Sequence, residues 1–178
     1  ECFLLFVGDV NWNKNIPGLI KATASISIPL VLVGKAFLDS SLSETREINS
    51  IISSLGREKF IIRPGYVTDS DLVCLYEMAT CLIQPSHYEG FGLPVLEAFV
   101  SGCPVVVADN SSLSEIAGPG IRVDAQSYES MIKGIQTVLE LSKEKRAHLI
   151  EKGHVWVKQF SWKKVACKTV AVYEKALG

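Results

Sequence analysis

The sequence predicts an α/β domain, a Rossmann-like parallel sheet of about six strands with helices on both faces. Three observations carry this. Short β-rich runs alternate with longer segments of helical periodicity. Most of the runs are continuously apolar, as strands covered on both faces are. The connections between them are short, which suits strand–helix–strand crossovers. A chain of 178 residues makes one domain of upper-middle size, and 48% hydrophobic against 21% charged residues is enough to bury a core.

The elements follow in order. Strands are expected at Phe3 to Val7, Leu30 to Val33, Phe60 to Ile62, Cys81 to Gln84 and Val105 to Ala108, with a weak one near Gly120 to Val123. Helices are expected at Lys14 to Ser27, Ser43 to Leu55, Asp69 to Ala79, Leu93 to Ser101, Ser111 to Ala117, Ser127 to Leu141, Lys143 to Lys158 and Trp162 to Leu177. Asp69-Ser70-Asp71 precedes the periodic Leu72, Leu75, Tyr76 and Ala79, so it caps that helix and favours its positive end. Pro94 can open the helix at Leu93, since proline suits the first helical position. Val95, Leu96, Ala98, Phe99 and Val100 make this helix apolar nearly all round, which predicts burial. Ser111 and Ser112 read as caps after the fifth strand, and Glu115 as structural. Ser142, with Glu144 in the first turn that follows, and Ser161 before Trp162 are the expected caps of the last two helices. There is no internal repeat, linker or low-complexity segment.

Composition excludes several classes of partner. A net charge of −1 gives no general attraction to nucleic acid or an anionic membrane. The five cysteines (Cys2, Cys74, Cys81, Cys103, Cys167) are odd in number, dispersed and without metal-ligand spacing. They read as buried reduced thiols in a cytoplasmic protein. No apolar run is long enough to cross a bilayer, and Glu1 to Val7 lacks the basic start of a signal peptide. The chain opens almost inside a strand, which predicts a preceding domain.

The chemistry concentrates in Pro85-Ser86-His87-Tyr88-Glu89-Gly90-Phe91-Gly92-Leu93-Pro94-Val95-Leu96-Glu97-Ala98. Two carboxylates lie eight residues apart, with glycines and a helix start between them. Bare N–H groups at a helix start attract phosphate, and glycines let a ligand approach the backbone closely. The segment therefore reads as a phosphate cradle flanked by two hydroxyl-binding carboxylates, which is what a nucleotide sugar needs. A carboxylate on a mostly buried helix needs a partner, and a ribose diol or a basic side chain would serve Glu97. His87 reads as a loop residue.

This stretch resembles the signature of the retaining GT-B glycosyltransferases of family 4, the glycosyl transferases group 1, in which seven residues separate two glutamates. The likeness runs along nearly the whole chain and covers that family's second, donor-binding half. It implies that Glu89 is the candidate catalytic residue and contacts the donor sugar. It implies that Glu97 holds the ribose and that the amides of Phe91, Gly92 and Leu93 hold the diphosphate. Gly102-Cys103-Pro104-Val105-Val106 and Phe160-Ser161-Trp162 also look like the family, whose final helix returns towards the first domain.

Other positions join the candidate site. Gly8, after the first strand, permits close approach, and Lys14 can meet a phosphate as a point charge. Asp9 stands where the family often has an arginine and would repel a diphosphate. Either it points away or another cation substitutes, Lys35 first and Arg63 second. In the family the loop holding Arg63-Pro64-Gly65-Tyr66-Val67 lines the base pocket, which makes Tyr66 and Val67 the base-edge candidates; Pro64 and Gly65 also suit a turn. Asp69-Ser70-Asp71 matches the metal-binding Asp-x-Asp of GT-A enzymes, but the cap reading displaces it; Asp69 also suits guanine recognition.

The resemblance implies transfer of a sugar from a UDP- or GDP-linked donor, GDP-mannose first, to a glycan, polysaccharide or glycolipid acceptor, with retention and without a metal or cofactor. The partners implied are the nucleotide sugar, a preceding GT-B domain and the acceptor, with a cytoplasmic location, peripheral to a membrane only through the missing half. The isolated domain is expected to bind nucleotide but hardly to turn over. A nucleotide-sugar 2-epimerase and a non-catalytic nucleotide-sugar-binding module, the latter favoured only by Asp9, are the alternatives.

Overall fold

The computed structural model describes residues 2–178. Six parallel strands form one sheet in the order β3-β2-β1-β4-β5-β6: β1 (Leu4–Val7), β2 (Leu30–Val33), β3 (Ile61–Gly65), β4 (Cys81–Gln84), β5 (Val105–Ala108) and β6 (Ile121–Val123). Eight helices connect or follow them: α1 (Ile16–Thr23), α2 (Ser43–Ser54), α3 (Asp69–Met78), α4 (Leu93–Val100), α5 (Ser111–Ile116), α6 (Tyr128–Leu139), α7 (Lys143–Val157) and α8 (Trp162–Leu177). This is the expected Rossmann-like architecture, with strand order reversing between β1 and β4.

Two cores follow from the two-residue period of the strands. Leu4 and Phe6, Leu30 and Leu32, Cys81 and Ile83, and Val106 face one side, where Leu19 and Ile20 of α1, Ile48 and Ile52 of α2, and Met131 and Ile135 of α6 cover them. Leu5, Val31, Val33, Leu82, Val105 and Val107 face the other. There they meet Tyr76 of α3, Val95 and Phe99 of α4, Leu113 and Ile116 of α5, and Trp156 of α7. β1, β2, β4 and β5 are covered on both faces and so carry no alternation, whereas the edge strands β3 and β6 expose Ile62 and Arg122.

Local departures have local causes. The helix expected from Lys14 starts at Ile16, because Trp12–Lys14 forms a 3-10 turn and Asn15 adopts a left-handed conformation at φ 54°. Asparagine tolerates that region better than most residues. A second 3-10 turn, Lys35–Leu38, follows β2. Arg63-Pro64-Gly65 is the end of β3 and not a loop turn. β3 is an edge strand, so Pro64 sacrifices no ladder hydrogen bond.

The caps at Ser142 and Ser161 form as expected, each hydroxyl accepting an N–H three residues on. Thr68, rather than Asp69 or Ser70, caps α3 by accepting from the Asp71 N–H at 3.2 Å. Asn110, not either serine, occupies the cap position of α5. Every residue of α8 is exposed. Among the described residues no helix is long and apolar enough to cross a membrane.

The cysteines divide differently from the expectation. Cys81 and Cys103 are buried free thiols, whereas Cys2, Cys74 and Cys167 are exposed. Cys74 falls on the outer side of α3, whose apolar face is narrow. Burial pushes the Cys81 thiol far up and the Cys103 thiol up to about 12. We therefore expect iodoacetamide at about pH 8 to alkylate the three exposed thiols in the native chain and the other two only after unfolding. Both buried thiols ionise more readily in the unfolded chain, near pH 8.5. Their contribution to stability is therefore full below that pH and falls as pH rises through and above it. Denaturant titrations at pH 8 and pH 10 check the sign, and Cys81→Ala/Cys103→Ala should flatten the slope.

Candidate functional site

The carboxyl ends of the strands carry the candidate residues. At the point where strand order reverses, the loop after β1 faces the loop after β4. Lys14, in the turn after β1, meets Glu89, in the loop after β4: its Nζ lies 2.7 Å from Oε1 and 2.9 Å from Oε2. The pair is largely enclosed, with side-chain exposures of 17% and 8%. Two neutral donors fix the same carboxylate. Gln84 Nε2, at the end of β4, and Ser86 Oγ each donate to Glu89 Oε1 at 2.8 Å. A buried carboxylate requires such partners, because desolvation without them costs several kcal/mol. Gln84 is fully buried, and its Oε1 has no partner among the described residues.

The loop carrying Glu89 is tied down by α5. The Glu89 N–H donates to Ser111 Oγ at 3.1 Å, and Ser112 Oγ donates to the carbonyls of Glu89 and Phe91 at 2.9 and 3.1 Å. Ser111 and Ser112 therefore staple this loop rather than cap a helix. Gly92 then turns the chain into α4 with φ 95°, a left-handed value that glycine adopts freely. A Cβ there would meet Leu113 and Ile116 at 2.8 Å. No side chain caps the start of α4. Phe91 packs edge-on against Phe160, and Leu93 is exposed at the helix start.

Glu97 corrects an expectation. α4 buries only the face of Val95, Leu96, Ala98 and Phe99; Glu97 and Val100 are exposed. Within the domain the partner of Glu97 is a phenol rather than a basic side chain: Tyr76 of α3 donates its O–H to Glu97 Oε2 at 2.9 Å. Tyr76 is only 1% exposed. Burial, with the adjacent Glu97 charge, drives its pKa far above the ordinary tyrosine value. It thus remains a hydrogen-bond donor and orients the carboxylate.

On the β2–β3 side of the reversal point lies a cavity of about 860 Å³ lined by Gly8, Asp9, Gly34, Lys35, Gly65, Tyr66, Val67 and Asp69. Two glycines make it. Gly8 N–H donates to the Val33 carbonyl at 3.0 Å, and a Cβ on Gly34 would sit 2.0 Å from the Gly8 carbonyl oxygen. Only a residue without a side chain lets these loops approach so closely. Gly8, Lys35, Tyr66 and Val67 thus share one cavity. Asp9 lines it too, its Oδ1 accepting the Val10 N–H at 2.9 Å. Arg63 does not join them: its guanidinium donates to Asn49 of α2, because β3 continues through it and turns it away from the cavity. Asp69 stands at the cavity wall within the first turn of α3. Among the described residues no group of three His, Cys, Asp or Glu is placed to hold a metal ion.

Sequence reasoning did not find Gln84, Ser86, Tyr76, Asn13 or Asn15. The Asn15 carboxamide donates to the carbonyls of Pro85 and Ala125, and Asn13 Nδ2 donates to that of Tyr88. His87 N–H answers with a bond to the Asn13 carbonyl at 2.7 Å, so the loops after β1 and β4 are bolted together. The asparagines flanking Trp12 and Lys14 were the available signal.

The family model for glycosyl transferases group 1 matches residues 1–156. The chain belongs to this family. Among its relatives, the O-antigen chain mannosyltransferase B of Escherichia coli is 33% identical over 180 residues, spanning 97% of this chain and 45% of that protein. An MMP alpha-(1->4)-mannosyltransferase of Mycolicibacterium hassiacum is 30% identical over 172 residues, spanning 92% of this chain and 40% of that protein. The chain therefore spans less than half the length of these relatives. In structure, a sucrose-phosphate synthase from Thermosynechococcus elongatus superposes with a TM-score of 0.87 at 26% identity, over 99% of this chain and 46% of its own. Anabaena HepE, solved in complex with UDP-glucose, shares the fold, with a TM-score of 0.85 at 21% identity over 98% of this chain and 49% of its own.

The Lys14–Glu89 pair has a measurable energetic signature in this group 1 domain. Removing one partner of a buried pair strands the other, so Lys14→Met should cost about 3 kcal/mol, the low end for a pair that keeps some exposure. Adding Glu89→Gln should recover at least half, since the neutral amide needs no cation. Urea denaturation of the single and double variants gives both numbers.

Proposed function

We propose that this domain binds the nucleotide-diphosphate donor of a retaining, metal-independent sugar transfer, a mannosyl transfer first, carried out with a preceding domain. The observation that carries the reading is the reversal point itself. A nucleoside-sized cavity, an uncapped helix start, a cation and two anchored carboxylates adjoin there, in the place where open α/β sheets bind ligands. Tyr66, Val67 and Gly65 line the base and nucleoside cavity. Glu97, held by Tyr76, accepts from the ribose hydroxyls. The amides of Phe91, Gly92 and Leu93, with Lys14 and Lys35, offset the charge that grows on the leaving diphosphate. Glu89 faces the sugar hydroxyls. The family match, the mannosyltransferase relatives and the UDP-glucose bound to HepE support this reading. The acceptor is a glycan, polysaccharide or glycolipid, and the protein works at the cytoplasmic side.

Calorimetry with GDP and UDP tests it. Glu97→Ala should weaken the preferred diphosphate roughly 10- to 100-fold, the worth of hydrogen bonds to a charged group. Glu89→Ala should bind the plain diphosphate nearly as the parent does, yet abolish sugar transfer by the full-length enzyme. A folded Glu97→Ala protein with unchanged affinity overturns the ribose assignment. Equal losses of nucleotide in both variants overturn the division of roles.

A further inference from the structure

A second cavity, of about 820 Å³, opens at the carboxyl ends of β5 and β6 and shares no lining residue with the first. Its wall includes Trp12, His87, Asn110, Arg122, Asp124 and Gln126. Trp12 is the telling residue. The residue is 75% exposed, although a tryptophan is among the side chains that gain most from burial. The turn that carries it is rigid. Asn13 donates to the Tyr88 carbonyl and accepts the His87 N–H of the neighbouring loop, and Asn15 ties the turn to the carbonyls of Pro85 and Ala125 at 3.2 and 2.8 Å. An exposed indole is thus carried on an anchored turn at the edge of a polar hollow, and a platform whose backbone is set in place before binding loses less entropy on binding.

The polar groups decide the ligand. Asp109 and Arg122 pair at 3.3 Å, and Asp124 accepts the Gln126 N–H at 2.8 Å. Two carboxylates and one guanidinium give the hollow mixed charge, with acceptors and donors side by side. Carboxylates, amides and an imidazole that both donate and accept suit hydroxyls. An aromatic face suits the C–H face of a pyranose ring. The position adds the last constraint. Asn110 Nδ2 donates to the Ser86 carbonyl at 3.0 Å, while Ser86 Oγ holds Glu89. One loop therefore forms a wall of the cavity and carries the carboxylate assigned to the donor sugar.

We propose that this cavity is a saccharide subsite that takes a pyranose unit of the acceptor glycan, with Trp12 as its stacking platform. The proposal rests on the donor-site reading above.

The test uses the full-length protein and two probes, an α-linked mannotetraose and a maltotetraose, titrated with and without saturating GDP or UDP. At least one tetraose should bind with nucleotide present, because the cavities are separate. Trp12→Ala should weaken that tetraose roughly tenfold, while nucleotide affinity stays within about twofold. Gln126→Trp, a change at an exposed position that fills the hollow, should do the same and serves if Trp12→Ala does not fold. Binding of neither tetraose, or equal binding by both variants and the parent, overturns the proposal. So does a result in which the variants weaken the nucleotide sugar but not the tetraose, since the cavity would then belong to the donor. If the parent binds a tetraose but neither GDP nor UDP, the donor-site reading fails and the saccharide site stands.

Discussion

A charge buried beside a strand end has to be answered, and here the answer organises the carboxyl edge of the sheet. Glu89 is nearly enclosed, so it requires Lys14, Gln84 and Ser86 together. Lys14 arrives from the loop after β1, Gln84 from the end of β4 and Ser86 from the following turn. Those segments converge only because β1 and β4 are neighbours at the reversal of strand order. The requirement of one carboxylate thereby couples the first strand's loop to the fourth's. The asparagine bonds that bolt these loops together reinforce the same junction.

On either side of this junction the edge divides into two hollows of similar size and different character. The one over β2 and β3 is shaped by glycine backbones and bordered by Lys35. The one over β5 and β6 is shaped by side chains, with an aromatic edge and mixed charge. A strand order that fans outward from the middle gives each hollow its own pair of strands. The loop after β4 carries Glu89 and, through His87, borders the second hollow.

The sheet, all eight helices and the glutamate spacing were legible in the sequence, because each depends on periodicity or short-range pattern. The partner of Glu89 was not legible. Lys14 stands 75 positions away, and only the strand order brings the two together. Tyr76 and Glu97 show the same limit: each could be placed on a helix, but their meeting depends on how α3 and α4 pack. Arg63 failed for a smaller reason. Proline and glycine usually end a strand, yet on an edge the strand runs through them and carries the arginine towards Asn49. The two serines after β5 lie against the loop that carries Glu89, and their hydroxyls serve that loop rather than their own helix.

The two-sided burial of β4 constrains how this domain can change over evolutionary time. Cys81 and Ile83 look into one core and Leu82 into the other, with Gln84 next in line beneath Glu89. Inserting or deleting one residue inside the strand would exchange the two faces at every later position. It would swing Gln84 out from under the carboxylate at the same moment that it disturbed both cores. Length variation is therefore channelled to the loops beyond the strand ends, where an added residue reshapes a hollow without moving the frame. Descendants of such a fold can acquire new binding preferences by indel, provided that the four residues of β4 stay in step.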